Sequence, residues 1–167
     1  FPYTTLFRSL TLKNVSLSLY AEGIKKPIMK ETGEMLFTHN GISGPLVLTA
    51  SALLKQGRQH KGIIDLKPGM TSEALKSRIL RDFSENSNRE FKNSLSKLLP
   101  ASLIPVVVSL SGIDPEKKVN QITAAEREAL ILVLKEFTLN IIGTEDPDRA
   151  VITRGGINLK EVNPSTM

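Results

Sequence analysis

Cysteine is absent from this 167-residue sequence, and aromatic residues make up only 5% of it. Without cysteine the chain has no disulfides, no thiolate metal sites and no cysteine nucleophiles. No apolar run approaches the roughly 20 residues that a membrane helix needs, and the first residues lack the basic and apolar regions of a signal peptide. These absences predict a cytoplasmic protein with no membrane partner.

Motifs for binding metals and dinucleotides are also lacking. Neither His39 nor His60 has a second histidine or a pair of carboxylates at metal-ligand spacing, so we expect no metal site. The G-x-G-x-x-G fingerprint occurs nowhere in the sequence, so the chain by itself does not hold a dinucleotide in that standard way.

The net charge of +5 points toward nucleic acid, because clustered Lys and Arg residues bind phosphate backbones. The basic residues nevertheless form short groups that are scattered along the sequence, at Lys25–Lys26, Lys55–Lys61 and Lys117–Lys118. Aromatic side chains that stack on bases are scarce as well. We therefore expect no nucleic-acid partner.

Alternating apolar residues predict several strands, and 40% hydrophobic residues can support a folded core. Leu10–Tyr20 alternates but changes phase at Lys13–Asn14, which predicts a bulge there. The shorter strands are separated by a polar loop, by a break at Gly33 and by a basic loop that contains His60. Those strands are expected at Ile28–Met29, Glu34–Thr38, Ile63–Leu66, Thr138–Ile142 and Ala150–Thr153.

Helical periodicity begins after Gly69. Thr71 or Ser72 can cap a helix whose apolar stripe contains Leu75, Ile79, Leu80 and Phe83. Two short helices are predicted next, at Phe91–Leu99 and Leu103–Leu110, the second ending at Gly112.

A capping box of Thr123 and Glu126 begins the last predicted helix. The apolar residues within Leu130–Phe137 lie on nearly all sides of this helix, so we expect it to be the buried central helix. Strands, then helices, then strands predict an α+β fold, in which a helical bundle is inserted into a small β-barrel or sheet. We assign residues 10–69 and 137–153 to the barrel and residues 70–136 to the helical subdomain.

The segment Gly33–Pro45, GEMLFTHNGISGP, combines a strand, a glycine turn and the start of a helix. Such a turn can present N–H groups to an anionic or polar ligand, but the same glycines also fit ordinary strand-to-helix punctuation. His39 suits either general acid–base catalysis or a structural hydrogen bond. Ser43 lacks the spacing of a nucleophile elbow, so we expect it to cap the helix that begins at Pro45.

The run GEMLFTHNGISGPLVLTAS strongly resembles the hallmark of the aminoacetone oxidase family of FAD-binding proteins, often labelled NAD(P)/FAD-dependent oxidoreductases. The resemblance extends to Leu12–Val15 and to TRGGINLKEVNPSTM at Thr153–Met167, and it covers Leu10 to Met167. It implies a β-barrel and helical insert that interrupts an FAD-binding α/β domain, with residues 154–167 re-entering that domain. Phe1–Ser9, FPYTTLFRS, reads as one frame of a sequencing adapter, and we expect it to be non-native.

The resemblance also implies where the chemistry lies. His39 is the candidate catalytic residue, and the other cleft-facing, cofactor-binding candidates are Thr38, Gly41, Ser43, Gly44, Thr153, Gly155 and Gly156. FAD would be bound mainly by the missing domain, with NAD(P) as a further cofactor, and the substrate would be a small molecule. Position 40 is Asn, where such motifs often have Phe.

Two hypotheses follow. The first is the substrate-cleft insert of an FAD-dependent oxidoreductase, inactive as an isolated fragment, whose partner is the FAD-binding domain of the same protein. The alternative is a noncatalytic barrel and helical module that docks a protein or a nucleic acid.

Overall fold

The structure is a computed structural model that describes residues 10–39, 41–55 and 57–144. The predicted strand at Ala150–Thr153 and the candidate residues Gly155 and Gly156 lie outside this part of the chain, as does Asn40.

Five antiparallel strands form one curled sheet, a half-barrel, with the order β3-β2-β1-β4-β5. They are β1 (Leu10–Ala21), β2 (Met29–Phe37), β3 (Ile42–Ser43), β4 (His60–Asp65) and β5 (Phe137–Ile141). The long strand β1 is central and pairs with β2 on one side and β4 on the other.

Helices follow the third and the fourth strand. They are α1 (Pro45–Ser51), α2 (Ser72–Glu85), α3 (Phe91–Ser94), α4 (Ile104–Ser111) and α5 (Ala124–Lys135), with a 3-10 turn at Val119–Gln121. Helices α2 to α5 follow β4 and precede β5, so the predicted α+β architecture of a sheet with an inserted helical bundle is confirmed.

The predicted bulge in β1 is confirmed. Leu12 pairs with Met35 and Val15 with Gly33, so Lys13 and Asn14 together stand opposite a single residue of β2. This extra residue corrects the phase, because the apolar side chains before and after it then point to the same face. Leu10, Leu12, Val15, Leu17 and Leu19 are all buried.

The prediction that Gly33 separates a short strand from a longer one is wrong. Strand β2 runs without interruption from Met29 to Phe37, because Gly33 pairs with Val15 within the ladder. A Cβ on this glycine would lie 3.8 Å from Leu46 of α1, which is an ordinary van der Waals contact, so Gly33 lies beneath α1 without being sterically required there.

The placement of His60 in a basic loop is also wrong. His60 begins β4, where it pairs with Ala21 and Ile141, and only 6% of it is exposed. Its Nε2 accepts a hydrogen bond from the Lys55 backbone N–H at 3.4 Å. The alternation of His60, Gly62 and Ile64 toward the core could have identified this strand.

Within the helical part, the predicted caps are confirmed but the width of the apolar faces is not. Thr71 caps α2 through Ala74, and Gly112 ends α4 in the left-handed conformation. Leu80 is 43% exposed and Leu132 is 57% exposed, because each helix covers only one flank of the core. The predicted helix at Phe91–Leu99 ends at Ser94, although the leucines that follow are buried.

The sheet and the helices share one hydrophobic core. Phe137, which was expected to continue the last helix, begins β5 instead and packs edge-on against Phe37, with ring centroids 6.4 Å apart. Phe83 and Phe91 make a similar contact among the helices. The two parts therefore stabilise each other through apolar burial.

Lys135 at the end of α5 joins the helices to the sheet. Its half-buried ammonium donates to the carbonyl oxygens of Met70 at 2.7 Å and Lys67 at 3.2 Å, and it forms an ion pair with Asp65. The Leu66 N–H donates to the Leu134 carbonyl beside it at 2.9 Å. This cation therefore satisfies three acceptors at the point where β4, α2 and α5 meet.

We expect Lys135→Met to lower the free energy of unfolding by about 1–3 kcal/mol, because two backbone carbonyls and a carboxylate lose their donor. Urea denaturation measures the change. Lys97→Met is the control, because Lys97 forms an exposed pair with Glu85 and its loss costs about 0–1 kcal/mol. Equal effects of the two substitutions would contradict the joining role.

The capping box of α5 is confirmed. The Thr123 hydroxyl accepts from the Glu126 N–H, and the Glu126 carboxylate accepts from the Thr123 N–H at 2.7 Å. The same carboxylate accepts from Lys117 at 2.7 and 2.9 Å. The hydrogen bond from Lys117, followed by that from Thr123, lowers the pKa of Glu126 from 4.5 to about 2.

A carboxyl whose pKa is lower in the folded state stabilises the fold above its unfolded pKa. We therefore expect the stability advantage of the wild type over Glu126→Gln to be complete above pH 4.5 and to disappear as the pH falls to about 2. Thermal denaturation across this range measures it. A difference between the two proteins that does not change with pH would exclude this linkage.

Candidate functional site

The predicted site is a tight hairpin between β2 and β3. Phe37 pairs with Ile42, and the Thr38 N–H donates to the Gly41 carbonyl at 2.8 Å. His39 therefore stands at the tip of the hairpin, where it is exposed and its side chain forms no hydrogen bond with any described residue. Its imidazole is free to meet a ligand or a neighbouring domain.

Gly44 connects this hairpin to α1 and cannot be replaced without strain. Its φ is 99°, and a Cβ would lie 3.1 Å from the Met35 Cα and 3.3 Å from the Leu36 nitrogen. Both contacts are to backbone, which has no freedom to move aside. The glycine thus lets the start of α1 press directly on β2.

The prediction that Ser43 caps α1 is wrong. The N-cap is Gly44, and no side chain caps this helix. Ser43 is held in β3 by its pairing with Leu36, so the chain turns into the helix only one residue later. Pro45 then occupies the first turn, where its missing N–H costs nothing.

The hairpin lies beside the first described residue of the chain. Leu10 at the start of β1 pairs with Phe37, directly before the turn. Leu10 therefore lies close to Thr38, the first residue of the turn. Thr153, Gly155 and Gly156 belong to the unplaced region, so the structure does not test whether they join this group.

Sequence reasoning missed a polar groove on the other side of the sheet. Ser16, Ser18 and Tyr20 alternate with the core residues of β1 and face away from them, and Lys61, Ile63 and Asp65 do the same on β4. With Lys30 and Asn140 they line a groove of about 1100 Å³. The alternation of polar with apolar residues was the available signal.

The groove and the hairpin are separate sites. None of the described residues between Thr38 and Pro45 lines the groove. Tyr20 is ten residues beyond Leu10 on β1, a distance of roughly 30 Å along a strand. One site therefore lies at each end of the sheet.

Two further classes of site can be checked within the described ranges. No group of three or more His, Asp or Glu residues there is arranged to hold a metal ion. None of the helices in the same ranges has the length and apolar character required to cross a membrane.

Comparison with known proteins identifies relatives across most of the sequence. Residues 5–152 match the family described as "HI0933-like protein barrel and H2TH domain". The ribosomal RNA dihydrouridine synthase of Escherichia coli (strain K12) is 31% identical over 133 residues, covering 80% of this chain and 32% of that protein. The namesake from Haemophilus influenzae is 28% identical over 134 residues, covering 80% and 32%.

A relative with a different name is the 3-dehydro-bile acid delta(4,6)-reductase of Clostridium scindens. It is 28% identical over 147 residues, which cover 86% of this chain and 36% of that protein. The chain thus spans about a third of the length of the curated relatives that it matches.

We expect Gly44→Ala to destabilise the fold by about 1–3 kcal/mol, because the new methyl group meets backbone atoms of β2 at a positive φ. Gly69→Ala is the matched control, since a Cβ there meets nothing within 4 Å and its φ is not positive. Chemical denaturation of both variants provides the comparison, and equal stability would show that the contact with β2 imposes no constraint.

Proposed function

Because the chain belongs to the HI0933-like family through its barrel and H2TH domain, we propose that it is the substrate-side part of an FAD-dependent oxidoreductase. In this proposal the FAD-binding domain of the same protein supplies the flavin, and this chain forms the opposite wall of the cleft. The isolated chain is then inactive. The resemblance to the aminoacetone oxidase family supports the flavin.

We further propose that the reaction is the reduction of an unsaturated ring. One relative is named for dihydrouridine, which is uridine with two added hydrogens, and another is named a reductase acting on a bile acid. Both names describe the addition of hydrogen to a ring. Amine oxidation, which the resemblance would suggest, is the second choice because no relative named above carries out that chemistry by name.

The position of the hairpin is the observation that carries the proposal. Leu10 pairs with Phe37, so a domain joined to the start of β1 adjoins Thr38 and His39. Gly44 follows the hairpin and lets the start of α1 pack closely on the backbone of β2. Rigid elements position reacting groups better than mobile loops do.

The described residues fit one wall of a flavin site, since they offer an exposed imidazole and turn backbone but no dinucleotide fingerprint. FAD, when bound, would supply the redox chemistry, with NAD(P) as its reductant. His39 would hydrogen-bond the substrate or deliver a proton to it. Thr38, Gly41, Ser43 and Gly44 would line the wall and exclude water.

The test uses the protein encoded by the complete gene. We expect it to bind FAD and to oxidise NAD(P)H in the presence of a ring substrate, whereas the 167-residue chain alone binds FAD negligibly. His39→Gln should retain flavin and stability but lower turnover about 100-fold, as expected for loss of a general acid.

Lys97→Gln, an exposed change in the helical part, serves as the control and should leave turnover unchanged. Absorbance of the bound flavin and the rate of NAD(P)H oxidation are the two measurements. A folded full-length protein with no affinity for FAD would refute the proposal, and an unaffected His39→Gln enzyme would refute the role of the imidazole.

A further inference from the structure

Two of the basic groups that are scattered in the sequence meet in the fold. The loop after β1 contains Lys25 and Lys26, and the loop before β4 contains Lys55 and Arg58. The Glu22 N–H donates to the Gln59 carbonyl at 3.0 Å, and this hydrogen bond joins the two loops. Both loops therefore lie at the end of the sheet opposite the hairpin.

The cations at this end are exposed. We name them the basic end, which consists of Lys25, Lys26, Lys30, Lys55, Arg58 and Lys61. None of the six forms an ion pair with a described residue. The lysines and arginines that do form ion pairs with described residues lie in the helical part, where acidic neighbours neutralise them.

Few acids oppose the basic end. The groove beside it contains three, which are Glu22, Asp65 and Glu136. Asp65 is already neutralised by Lys135. The net charge of the basic end and the adjoining groove is therefore positive, which favours an anionic partner.

The groove beside the basic end contains an aromatic ring and polar side chains. Tyr20 stands directly opposite Lys61, which in turn stands opposite Asn140, so the three form one row across the sheet. Lys30 stands opposite Ser18 one row away. A half-buried ring between cations is the arrangement with which proteins hold single-stranded nucleic acid, because bases stack on the ring while phosphates contact the cations.

We propose that the basic end and the adjoining groove bind a single-stranded segment of RNA, with phosphates on the lysines and arginine and a base on Tyr20. Unstacked bases of single-stranded RNA are the parts that aromatic side chains and hydrogen-bond donors can read. The choice of RNA over DNA rests on the proposed function and narrows its ring substrate to a base within RNA, because two relatives are named ribosomal RNA dihydrouridine synthase. The sequence-based expectation of no nucleic-acid partner considered how far apart the basic residues lie along the chain. The fold brings two of those basic groups close together in space.

The distance between the sites defines the role of this surface. The basic end lies roughly 30 Å along β1 from the hairpin, so it does not touch the reacting base. It holds a part of the strand that is distant from that base and so raises the affinity for a long substrate. In this respect it differs from a catalytic site.

The test measures binding of the full chain, without flavin, to a fluorescein-labelled single-stranded RNA oligonucleotide by fluorescence anisotropy. We expect binding that is tight at about 50 mM KCl and much weaker at about 200 mM, because phosphate contacts release counterions. Arg58→Ala with Lys61→Ala should weaken binding on the order of 10- to 100-fold at the lower salt and reduce the salt slope by about 1.4.

The matched control is Lys76→Ala with Lys97→Ala, which removes the same charge from the helical part and should change affinity less than about twofold. Arg58→Lys with Lys61→Arg keeps the charge and should retain binding, which separates loss of contact from misfolding. Tyr20→Phe should bind normally, whereas Tyr20→Leu should lose roughly 5- to 100-fold in affinity with an unchanged salt slope.

Three results would overturn the proposal. They are absence of binding at the lower salt, an equal loss in the control double variant, and equally tight binding of duplex DNA or heparin, which would reveal an unspecific polyanion surface. Because these measurements use the chain without FAD, their failure leaves the flavin test of the full-length protein untouched. The two proposals can therefore fail separately.

Discussion

The bulge in β1 is the constraint on which the rest of the structure depends. Lys13 and Asn14 occupy the place of one residue, so the apolar side chains before and after them share one face. That face carries the core, against which the helices pack, and the opposite face is left polar over its whole length. Without the extra residue, half of β1 would turn its leucines to water.

Because β1 is long and central, it also separates two surfaces of different character. At its start, Leu10 pairs with Phe37 directly before the hairpin that carries the exposed His39, the proposed reactive wall. At its far end, the loop after β1 and the loop before β4 bring positive charge close to Tyr20. The length of β1 thus sets the distance between the proposed reactive wall and the basic end.

The helical part is anchored to this sheet and is not an independent appendage. Lys135 satisfies three acceptors in β4 and in the loop that follows it. Phe137 follows the last helix closely and is buried in the core, where it pairs with Ile64 of β4. A ligand held by the sheet is therefore held by a body whose helices cannot move freely away. This rigidity suits a domain that must keep its shape while another domain binds a cofactor against it.

Local chemistry allowed the sequence to determine the bulge, the caps at Thr71 and Thr123, the helix end at Gly112 and the α+β order, because each depends on residues within one or two turns. It also located the turn after Thr38, although not the short strand β3 that makes this turn a hairpin. It did not determine that Gly44 rather than Ser43 caps α1, or that His60 is buried in a strand. Those outcomes depend on the partner strand.

The basic end could not be predicted from the sequence for the same reason. Lys25 and Arg58 are separated by 33 positions in the chain, and only the pairing of β1 with β4 and the bond from Glu22 to Gln59 bring their loops together. Charge spacing along a sequence reports local repulsion, whereas a ligand responds to spacing in three dimensions. The sequence by itself therefore determined the bulge, the helix caps, the α+β order and the turn after Thr38, because these depend on near neighbours. Only the tertiary structure decided which charges share a surface.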